Sequence, residues 1–214
     1  MRFRNPNDVD ESVHTCEEAV QAIFEKDVNK CNCLGSLADA LQRRFEYSGN
    51  IFDLDRSIRL REEAVRLILE NHREKRGHLS NLAISLQSRF KYLGTLCDAD
   101  KAIALHREAL DLTPDGHPDK LGYLSNLGGC LLDHFERCGD IANIDESVSL
   151  CEEAIHLTMD THPLKTNYLI HLGCSLHARF KANSRESDLN AAIRQFSQAA
   201  TLTTGDPFSR FHGG

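Results

Sequence analysis

The sequence repeats itself every 45 residues, and this period restricts the chain to an array of similar structural units. Five segments align without a gap; they begin at residues 8, 53, 98, 143 and 188, so that successive starts differ by 45. A second set of positions keeps the same spacing: Leu37, Leu82, Leu127 and Leu172, then Phe45, Phe90, Phe135 and Phe180. We therefore predict a repeat protein.

Each unit is predicted to form two α-helices, called here the first-type and the second-type helix. Apolar residues recur at steps of three and four in both segments, which is the spacing of one helical face. Examples are Leu79, Leu82, Leu86 and Phe90 in a first-type helix, and Leu54, Ile58, Ala64, Val65 and Ile68 in a second-type helix. The predicted fold class is all-α, an α–α superhelix of about nine helices packed as antiparallel pairs.

The predicted helix ends follow from short polar residues, proline and glycine. Second-type helices are expected to open at side chains that accept hydrogen bonds from the first turn: Asp8, Asp53, Asp98, Asn143 and Asp188. First-type helices are expected to begin with proline at the first helical position, as at Pro118 and Pro163. They are expected to end at Gly49, Gly94 and Gly139, with Ser184 at the fourth such position.

Small residues indicate that the two helices of a unit cross closely. One position of the second-type helix is alanine in all five copies: Ala19, Ala64, Ala109, Ala154 and Ala199. The first-type helix is expected to place small residues opposite it: Ala38, Ala83, Gly128 and Gly173. Because glycine inside a helix costs about 1 kcal/mol relative to alanine, the two glycines are expected where another backbone approaches closely.

This pattern resembles the tetratricopeptide repeat (TPR). The resemblance rests on Leu127, Gly128 and Leu131 followed by Ser147 and Ala154, and in another copy on Ala102, Ala109 and Pro114. The family's unit has 34 residues, whereas this one has 45 and resembles the long repeats of fungal arrays, which often precede a caspase-like CHAT peptidase domain. The resemblance covers about residues 8–205.

The repeat divides the chain into predicted segments. Residues 1–27 are assigned to the second-type helix of a truncated repeat, residues 28–72, 73–117, 118–162 and 163–207 to four repeats, and residues 208–214 to a tail. Both ends are expected to be cut, since Arg2 and Phe3 match the end of a first-type helix. The first helix, from Asp8 to about Lys26, has the apolar pattern of an internal one, at Val13, Val20, Ile23 and Phe24. We therefore expect a fragment, or burial of that face against the chain itself or a partner, including self-association.

The resemblance implies that first-type helices line a concave groove and that second-type helices form the outer wall. The residues then expected in the groove are Gly35, Asp39, Gln42, Ser80, Ile84, Gln87, Ser125, Gly129, Leu132, Ile170, Cys174 and His177. This surface is small-residue and weakly polar, and it becomes more apolar toward the C-terminus. Relatives that bind a chaperone's C-terminal carboxylate use lysine, asparagine and arginine at such positions, which are absent here. A protein or peptide segment is the expected partner; alternatively, these residues are small only to let adjacent units curve.

Charge and hydropathy exclude several classes of partner. The formal net charge of −7 argues against binding to a nucleic-acid backbone. The sequence contains no run of eighteen apolar residues, so no membrane span is predicted.

Eight cysteines without a C-x-x-C pair are expected to be free thiols in a reducing cytoplasm. His171, Cys174 and His177 lie on one helix but spread over about 120°, so we expect no metal site there.

The leading hypothesis for function is a non-enzymatic scaffold for protein–protein interaction that needs no cofactor. The acidic pairs Glu17-Glu18, Glu62-Glu63 and Glu152-Glu153 recur once per unit, whereas acid–base catalysis requires one perturbed pair in a cleft. His72, His117 and His162 are expected to cap or pack the helix starts. The alternative hypothesis is a sensor or regulatory arm of a CHAT-type peptidase whose catalytic domain is missing from this chain. A metal- or redox-responsive array using the cysteines is a third.

Overall fold

The computed structural model describes residues 6–23, 29–69, 72–159 and 161–204, and within these ranges it contains nine α-helices and no strand. The predicted all-α class is therefore confirmed. The expectations for Arg2, Phe3, Phe24 and residues 208–214 lie outside the described residues, and the division into repeat segments stays a prediction. The helices are α1 (Pro6–Ala22), α2 (Lys30–Ser48), α3 (Ile51–Leu67), α4 (Lys75–Leu93), α5 (Leu96–Asp111), α6 (Lys120–Cys138), α7 (Ile141–Leu157), α8 (Lys165–Asn183) and α9 (Glu186–Thr204).

The chain forms two compact units, which we call the N-terminal unit (residues 1–112) and the C-terminal unit (residues 113–214). The N-terminal unit contains α1 to α5, and each of these helices packs against the next one along the chain. In the C-terminal unit, α6 to α9 do the same, and α6 also contacts α8. Each unit is therefore built from antiparallel helical hairpins whose contacts are mainly with their sequence neighbours.

The turn within each hairpin has the predicted left-handed residue. Gly49, Gly94 and Gly139 have φ values of 70°, 75° and 73°, and Ser184 adopts the same region with φ of 56°. The backbone N–H of each donates to the carbonyl of a phenylalanine four residues earlier at 2.7 Å. This bond satisfies a carbonyl that the helix end leaves unpaired. The prediction that these residues end the first-type helices is confirmed.

The predicted caps of the second-type helices are wrong. Those helices begin at Ile51, Leu96 and Ile141, and it is Asn50 and Asp140 that accept hydrogen bonds from the backbone N–H two residues on. Asp53 instead lies buried in the first turn, where Arg44 of the preceding helix binds both its oxygens at 2.7 and 2.8 Å. Asp53 therefore joins the two helices of its hairpin instead of capping one of them.

This ion pair between a partly exposed arginine and a buried aspartate recurs in three hairpins and is replaced in the fourth. Arg89 binds Asp98, and Arg179 binds Asp188, at the same relative positions and with the same two-bond geometry. In the hairpin of α6 and α7 both partners differ together, and His134 and Asn143 are hydrogen-bonded at 2.8 Å instead. The paired replacement indicates that the contact, rather than its charge, is required at this position.

The first-type helices begin two residues after the prolines, at Lys120 and Lys165, so the predicted helix start at proline is wrong. The histidine before each start closes the turn. The Nδ1 atoms of His72, His117 and His162 accept the backbone N–H two residues on at 3.2 to 3.3 Å. The predicted capping role of these histidines is confirmed.

The predicted close crossing is present in both units. Ala64, Ala109 and Ala154 are fully buried, and Ala199 nearly so. Ala19 is exposed, contrary to expectation, because the described residues include no first-type helix before α1 that could cover it. A Cβ atom on Gly128 would lie 3.1 Å from the sulfur of Cys151, and one on Gly173 would lie 2.6 Å from the ring of Phe196. Both glycines lie at a close approach of the second-type helix, but the atoms nearest to them belong to the side chains of Cys151 and Phe196 rather than to the predicted backbone.

Candidate functional site

The N-terminal unit contains a pocket of about 330 Å³ between α2, α3 and α4, which we call the polar pocket. Three residues that the sequence assigned to the groove line it: Asp39, Gln42 and Ile84. Its other lining residues are Arg43, Glu46, Arg61 and Asn81. Every lining side chain except Ile84 is charged or carries an amide. The pocket thus offers several hydrogen-bonding groups in one place.

Arg61 is the structural centre of the polar pocket. Its side chain is only 6% exposed, and its Nη2 atom donates to Asp39 Oδ1 at 2.5 Å and more distantly to Gln42 at 3.5 Å. The Gln42 oxygen also accepts a bond of 2.7 Å from the Ser85 hydroxyl. A buried guanidinium is tolerated when it is paired and hydrogen-bonded in this way. The network therefore fixes the side chains of Asp39 and Gln42 without a ligand.

The C-terminal unit contains a pocket of about 560 Å³ between α6, α8 and α9, which we call the apolar pocket. Cys174 and His177, both assigned to the groove from the sequence, line it. The remaining lining residues are Phe135, Glu136, Gly139, Ala178, Lys181, Ala182 and Phe196. Burial raises the pKa of the Cys174 thiol, so at neutral pH this group stays protonated and behaves as a small apolar side chain. The pocket thus combines an apolar wall, which includes Phe135 and Phe196, with the polar side chains of Glu136, His177 and Lys181.

The other groove residues of the N-terminal unit lie outside the polar pocket. Gly35 faces the imidazole of His78, from which a Cβ atom would be separated by 3.7 Å. Burial lowers the pKa of His78, so this imidazole is neutral at pH 7. Ser80 is buried and Gln87 is half-buried. Of these residues, only Gly35 and Gln87 retain some exposed surface.

The other groove residues of the C-terminal unit are also dispersed. The Ser125 hydroxyl is hydrogen-bonded to His171 Nδ1 at 2.8 Å. Leu132 packs against a cluster that includes Phe135 and Ile144, whereas Gly129 borders open space. Ile170 is exposed. The apolar pocket therefore gathers two of the six residues assigned to this unit, and the use of all twelve as one binding surface stays a prediction.

Sequence reasoning missed Arg61 and Phe196, which line the two pockets from second-type helices. The groove was assigned to first-type helices alone, on the family's pattern. A usable signal exists in the repeat, because the residue type at this position differs from one copy to the next, whereas the alanine three residues later is constant. The occupants of the variable position are Cys16, Arg61, His106, Cys151 and Phe196.

In two of the acidic pairs, the second glutamate forms an ion pair within its hairpin. Lys30 pairs with Glu63 at 3.3 Å, and Lys120 pairs with Glu153 at 3.7 Å. In each case a lysine at the start of a first-type helix binds a carboxylate on the second-type helix of the same hairpin. Such partly exposed pairs contribute at most about 1 kcal/mol each. The acidic pairs therefore recur because each hairpin uses the same lysine–glutamate contact, and acid–base chemistry is not needed to explain them.

Within the part of the chain whose side chains are described, no three His, Cys, Asp or Glu residues are grouped so as to hold a metal ion. Burial raises the pKa of the Cys151 thiol to about 11, so that it is protonated and unreactive near neutral pH. No helix among the described residues has both the length and the apolar character needed to cross a membrane.

Comparisons with known proteins agree with the repeat architecture. Residues 77–119 match the family model described as a tetratricopeptide repeat. This stretch covers α4 from its third residue, the following turn and α5, and the other hairpins repeat it every 45 residues. The fold is a TPR-like helical array. No curated protein matches the sequence.

Solved structures resemble this helical array over most of its length. One is the structure of a putative kinesin light chain from Podospora anserina with nearly identical TPR-like repeats: 16% identity, a TM-score of 0.65, and coverage of 92% of this chain and 90% of that one. A point variant of the same fungal protein gives 14% identity, a TM-score of 0.67, and coverage of 92% and 89%. The structure of BtubC (BKLC) from P. vanneervenii has 19% sequence identity and a TM-score of 0.65, and the match covers 91% of this chain and 75% of that one. At these identities the likeness shows a shared TPR-like solenoid fold.

Proposed function

We propose that this TPR array is a non-enzymatic scaffold that binds a segment of another protein on its first-type helices. The observation that supports this most is the polar pocket, where Asp39, Gln42 and Ile84 converge around a hydrogen-bond network that is already formed. A surface that is ordered before binding loses little conformational entropy on binding. Such a surface suits recognition of a peptide segment by shape and by a few fixed polar groups.

The two pockets favour different parts of a bound segment. In the polar pocket, the exposed part of Asp39 and the amide of Asn81 can bond backbone groups or a polar side chain. In the apolar pocket, Phe135, Ala178 and Phe196 can enclose an apolar side chain. We propose that neither contact requires a cofactor. The expected ligands are protein segments with both kinds of group.

We propose that the chain has no catalytic activity and works in the cytoplasm. The first proposal is supported by the ion pairs of Glu63 and Glu153, which give the paired acids a structural purpose. The second is supported by the eight cysteines, all of which are free thiols, because reducing compartments maintain thiols. The alternative hypothesis, a regulatory arm of a CHAT-type peptidase, would retain the same binding surface. An in-frame peptidase domain in the coding sequence would favour it.

The proposal can be tested with a library of random peptides displayed on phage and selected on the purified chain. We expect selected peptides to bind the parent chain and to lose at least about tenfold in affinity with Ile84→Asp or His177→Asp. Glu152→Gln, an exposed change on a second-type helix, is the matched control and should bind unchanged. Selection of no peptide, or binding that ignores both pocket variants, would contradict the proposal.

A further inference from the structure

Two residues of the polar pocket have no equivalent of the same type in the other copies of the repeat, and they contact each other. Asp39 and Arg61 are joined by the bond of 2.5 Å described above. In the other copies the first position holds Ile84, Gly129 and Cys174, and the second holds Cys16, His106, Cys151 and Phe196. The hairpin of α6 and α7 therefore folds with glycine and cysteine at these two positions, and the fold itself does not require the ion pair.

The ion pair is a costly way to fill this position. Arg61 is only 6% exposed, and its Nε atom is enclosed without a hydrogen-bond partner among the described residues. An enclosed N–H that makes no hydrogen bond costs free energy. Replacing a buried ion pair by apolar side chains of similar volume is often neutral or stabilising. The pair is therefore better explained by the groups that it presents to the pocket than by stability.

The first group that it presents is a carboxylate oxygen. The side chain of Asp39 is 45% exposed, although that of its partner Arg61 is buried. Its Oδ1 atom accepts the bond from Arg61, and its Oδ2 atom has no hydrogen-bond partner among the described residues. An ionised carboxylate can accept several hydrogen bonds. Asp39 thus offers a fixed and accessible acceptor.

A second acceptor lies seven residues later on the same face of α2. Glu46 is exposed, and its Oε1 atom accepts only a long bond of 3.4 Å from the Gln42 amide. The Gln42 oxygen is already used by the Ser85 hydroxyl at 2.7 Å. Across the pocket, α4 adds the exposed amide of Asn81. The unused hydrogen-bonding capacity along α2 therefore consists of carboxylate oxygens.

The two cations of the pocket are bound to groups of the chain itself. Arg61 is paired with Asp39, and the Nε atom of Arg43 donates to the backbone carbonyl of Asp39 at 3.2 Å. The apolar part of the lining is Ile84, in a pocket of about 330 Å³. Such a wall suits the aliphatic stem of a long side chain whose charged end reaches polar groups.

We infer that the polar pocket binds the cationic side chain of a lysine or arginine. The charged end donates to Asp39 and Glu46, and the stem packs against Ile84. This preference rests on the proposed function, because it names the side chain of the bound segment that enters the pocket. The formal net charge of −7 favours the approach of a cationic segment. An acidic side chain would face two carboxylates, and the enclosed Nε atom of Arg61 is out of its reach.

The preference can be tested by NMR titration of the isotope-labelled full chain with Nα-acetyl-lysine methylamide. We expect saturable shifts of the backbone amide signals of Asp39, Glu46 and Ile84. The matched probe is Nα-acetyl-norleucine methylamide, which has a similar stem without the charge. It should bind at least about fivefold more weakly, because charge-assisted hydrogen bonds are lost. Nα-acetyl-glutamate methylamide should leave these signals in place.

Two charge-matched variants separate the pocket from the overall charge of the chain. Glu46→Gln should weaken the lysine probe by about threefold or more, since it removes a charge but keeps an oxygen for Gln42. Glu62→Gln, an exposed change on a second-type helix, should leave binding unchanged. Asp39→Asn should weaken the probe further. Circular dichroism checks its folding, because it leaves Arg61 unpaired, and Glu46→Gln decides the outcome if that variant unfolds.

Equal binding of the norleucine probe, tighter binding of the glutamate probe, or equal weakening by Glu46→Gln and Glu62→Gln would overturn the preference. The proposed function has a separate outcome. If peptides selected on the chain require the pocket but the lysine probe does not bind, the preference is wrong and the scaffold role stands. If the lysine probe binds but no peptide can be selected, the preference stands and the scaffold role is contradicted.

Discussion

The N-terminal and C-terminal units build the same helical hairpin around different side chains. At one position of the second-type helix, the N-terminal unit has Arg61 and His106, whereas the C-terminal unit has Cys151 and Phe196. At the small-residue position of the first-type helix, the N-terminal unit has alanine and the C-terminal unit has glycine. The residues of that position are Ala38, Ala83, Gly128 and Gly173.

The difference places an arginine in one pocket and a phenylalanine in the other. Arg61 organises Asp39 and Gln42 in the N-terminal unit, while Phe196 forms part of the apolar wall in the C-terminal unit. The residues that maintain the backbone, such as the leucine stripes and the left-handed turn, are common to both units. Different side chains at equivalent positions, such as Arg61 and Phe196, thus line the two pockets while the fold is retained.

The largest expected difference between the units is their response to acid. His106 is fully buried with no hydrogen-bond partner for either ring nitrogen, and burial lowers its pKa to about 4. The unfolded chain binds a proton at this residue near pH 6.5, but the folded chain does not. Stability is therefore greatest above pH 6.5 and decreases as pH falls toward 4, by about 2 to 3 kcal/mol at pH 4.5.

The variant His106→Leu should remove this contribution to the pH dependence. Urea unfolding of the parent and variant at about pH 7 and about pH 4.5, followed by circular dichroism, isolates it because all other titrating groups are common to both. Cys151 at the equivalent position of the C-terminal unit does not titrate in this range, since its pKa is about 11. Equal losses of stability in parent and variant would show that His106 is not buried as described.

The close crossing common to both units should tolerate no larger side chain. Ala154→Leu is expected to cost about 2 kcal/mol, because the alanine is fully buried and overpacking forces neighbouring helices apart. Ala64→Leu in the N-terminal unit should cost a similar amount. Glu153→Ala, next to Ala154 but partly exposed, should change stability by about 0.5 kcal/mol or less. Similar melting temperatures for Ala154→Leu and Glu153→Ala would contradict the assignment of the two faces.

The glycine of the C-terminal crossing should depend on Phe196. Gly173→Ala is expected to destabilise the chain by about 1 kcal/mol, because its Cβ would displace the ring of Phe196. In a chain that already carries Phe196→Ala, Gly173→Ala should be neutral or should stabilise the fold by up to about 1 kcal/mol, because alanine is preferred over glycine inside a helix by about that amount. A double-mutant cycle in urea measures this coupling. A coupling of zero would mean that the ring does not limit the crossing.

The smallest effect concerns the one hairpin turn without glycine among the described residues. Ser184 has a left-handed φ of 56°, which costs a residue with a side chain more than it costs glycine. Ser184→Gly should raise stability by about 1 kcal/mol. The matched change in the opposite direction, Gly139→Ser, should lower it by a similar amount. Opposite signs for these two variants in thermal unfolding are the expected result.

The sequence predicts the parts of the fold that the period itself contains. The helix pairs, the turns at Gly49 and its equivalents, and the close approach at Gly128 all follow from spacing and residue size. The role of Asp53 could not be predicted in this way, because its partner Arg44 lies in another helix and a short acid near a helix start has the same pattern as a cap. Contacts between helices depend on side-chain direction, which a one-dimensional pattern does not contain.

The candidate site was predictable only in part for the same reason. Asp39, Gln42, Cys174 and His177 were found because they lie on first-type helices. Arg61 and Phe196 enter the pockets from second-type helices, where the sequence assigned the outer wall. The change of residue type from Arg61 to His106, Cys151 and Phe196 is a signal in the sequence, but it does not by itself show that the position lines a pocket.

The proposed binding role is tested most directly by NMR mapping of a selected peptide on the isotope-labelled chain. We predict that titration shifts the backbone amide signals of residues in the polar pocket, the apolar pocket or both, including Gln42 and Ile84 or Cys174 and His177. Signals of exposed residues on second-type helices, such as Glu62 and Glu152, should stay in place. Shifts confined to those outer residues, with both pockets unaffected, would contradict the account.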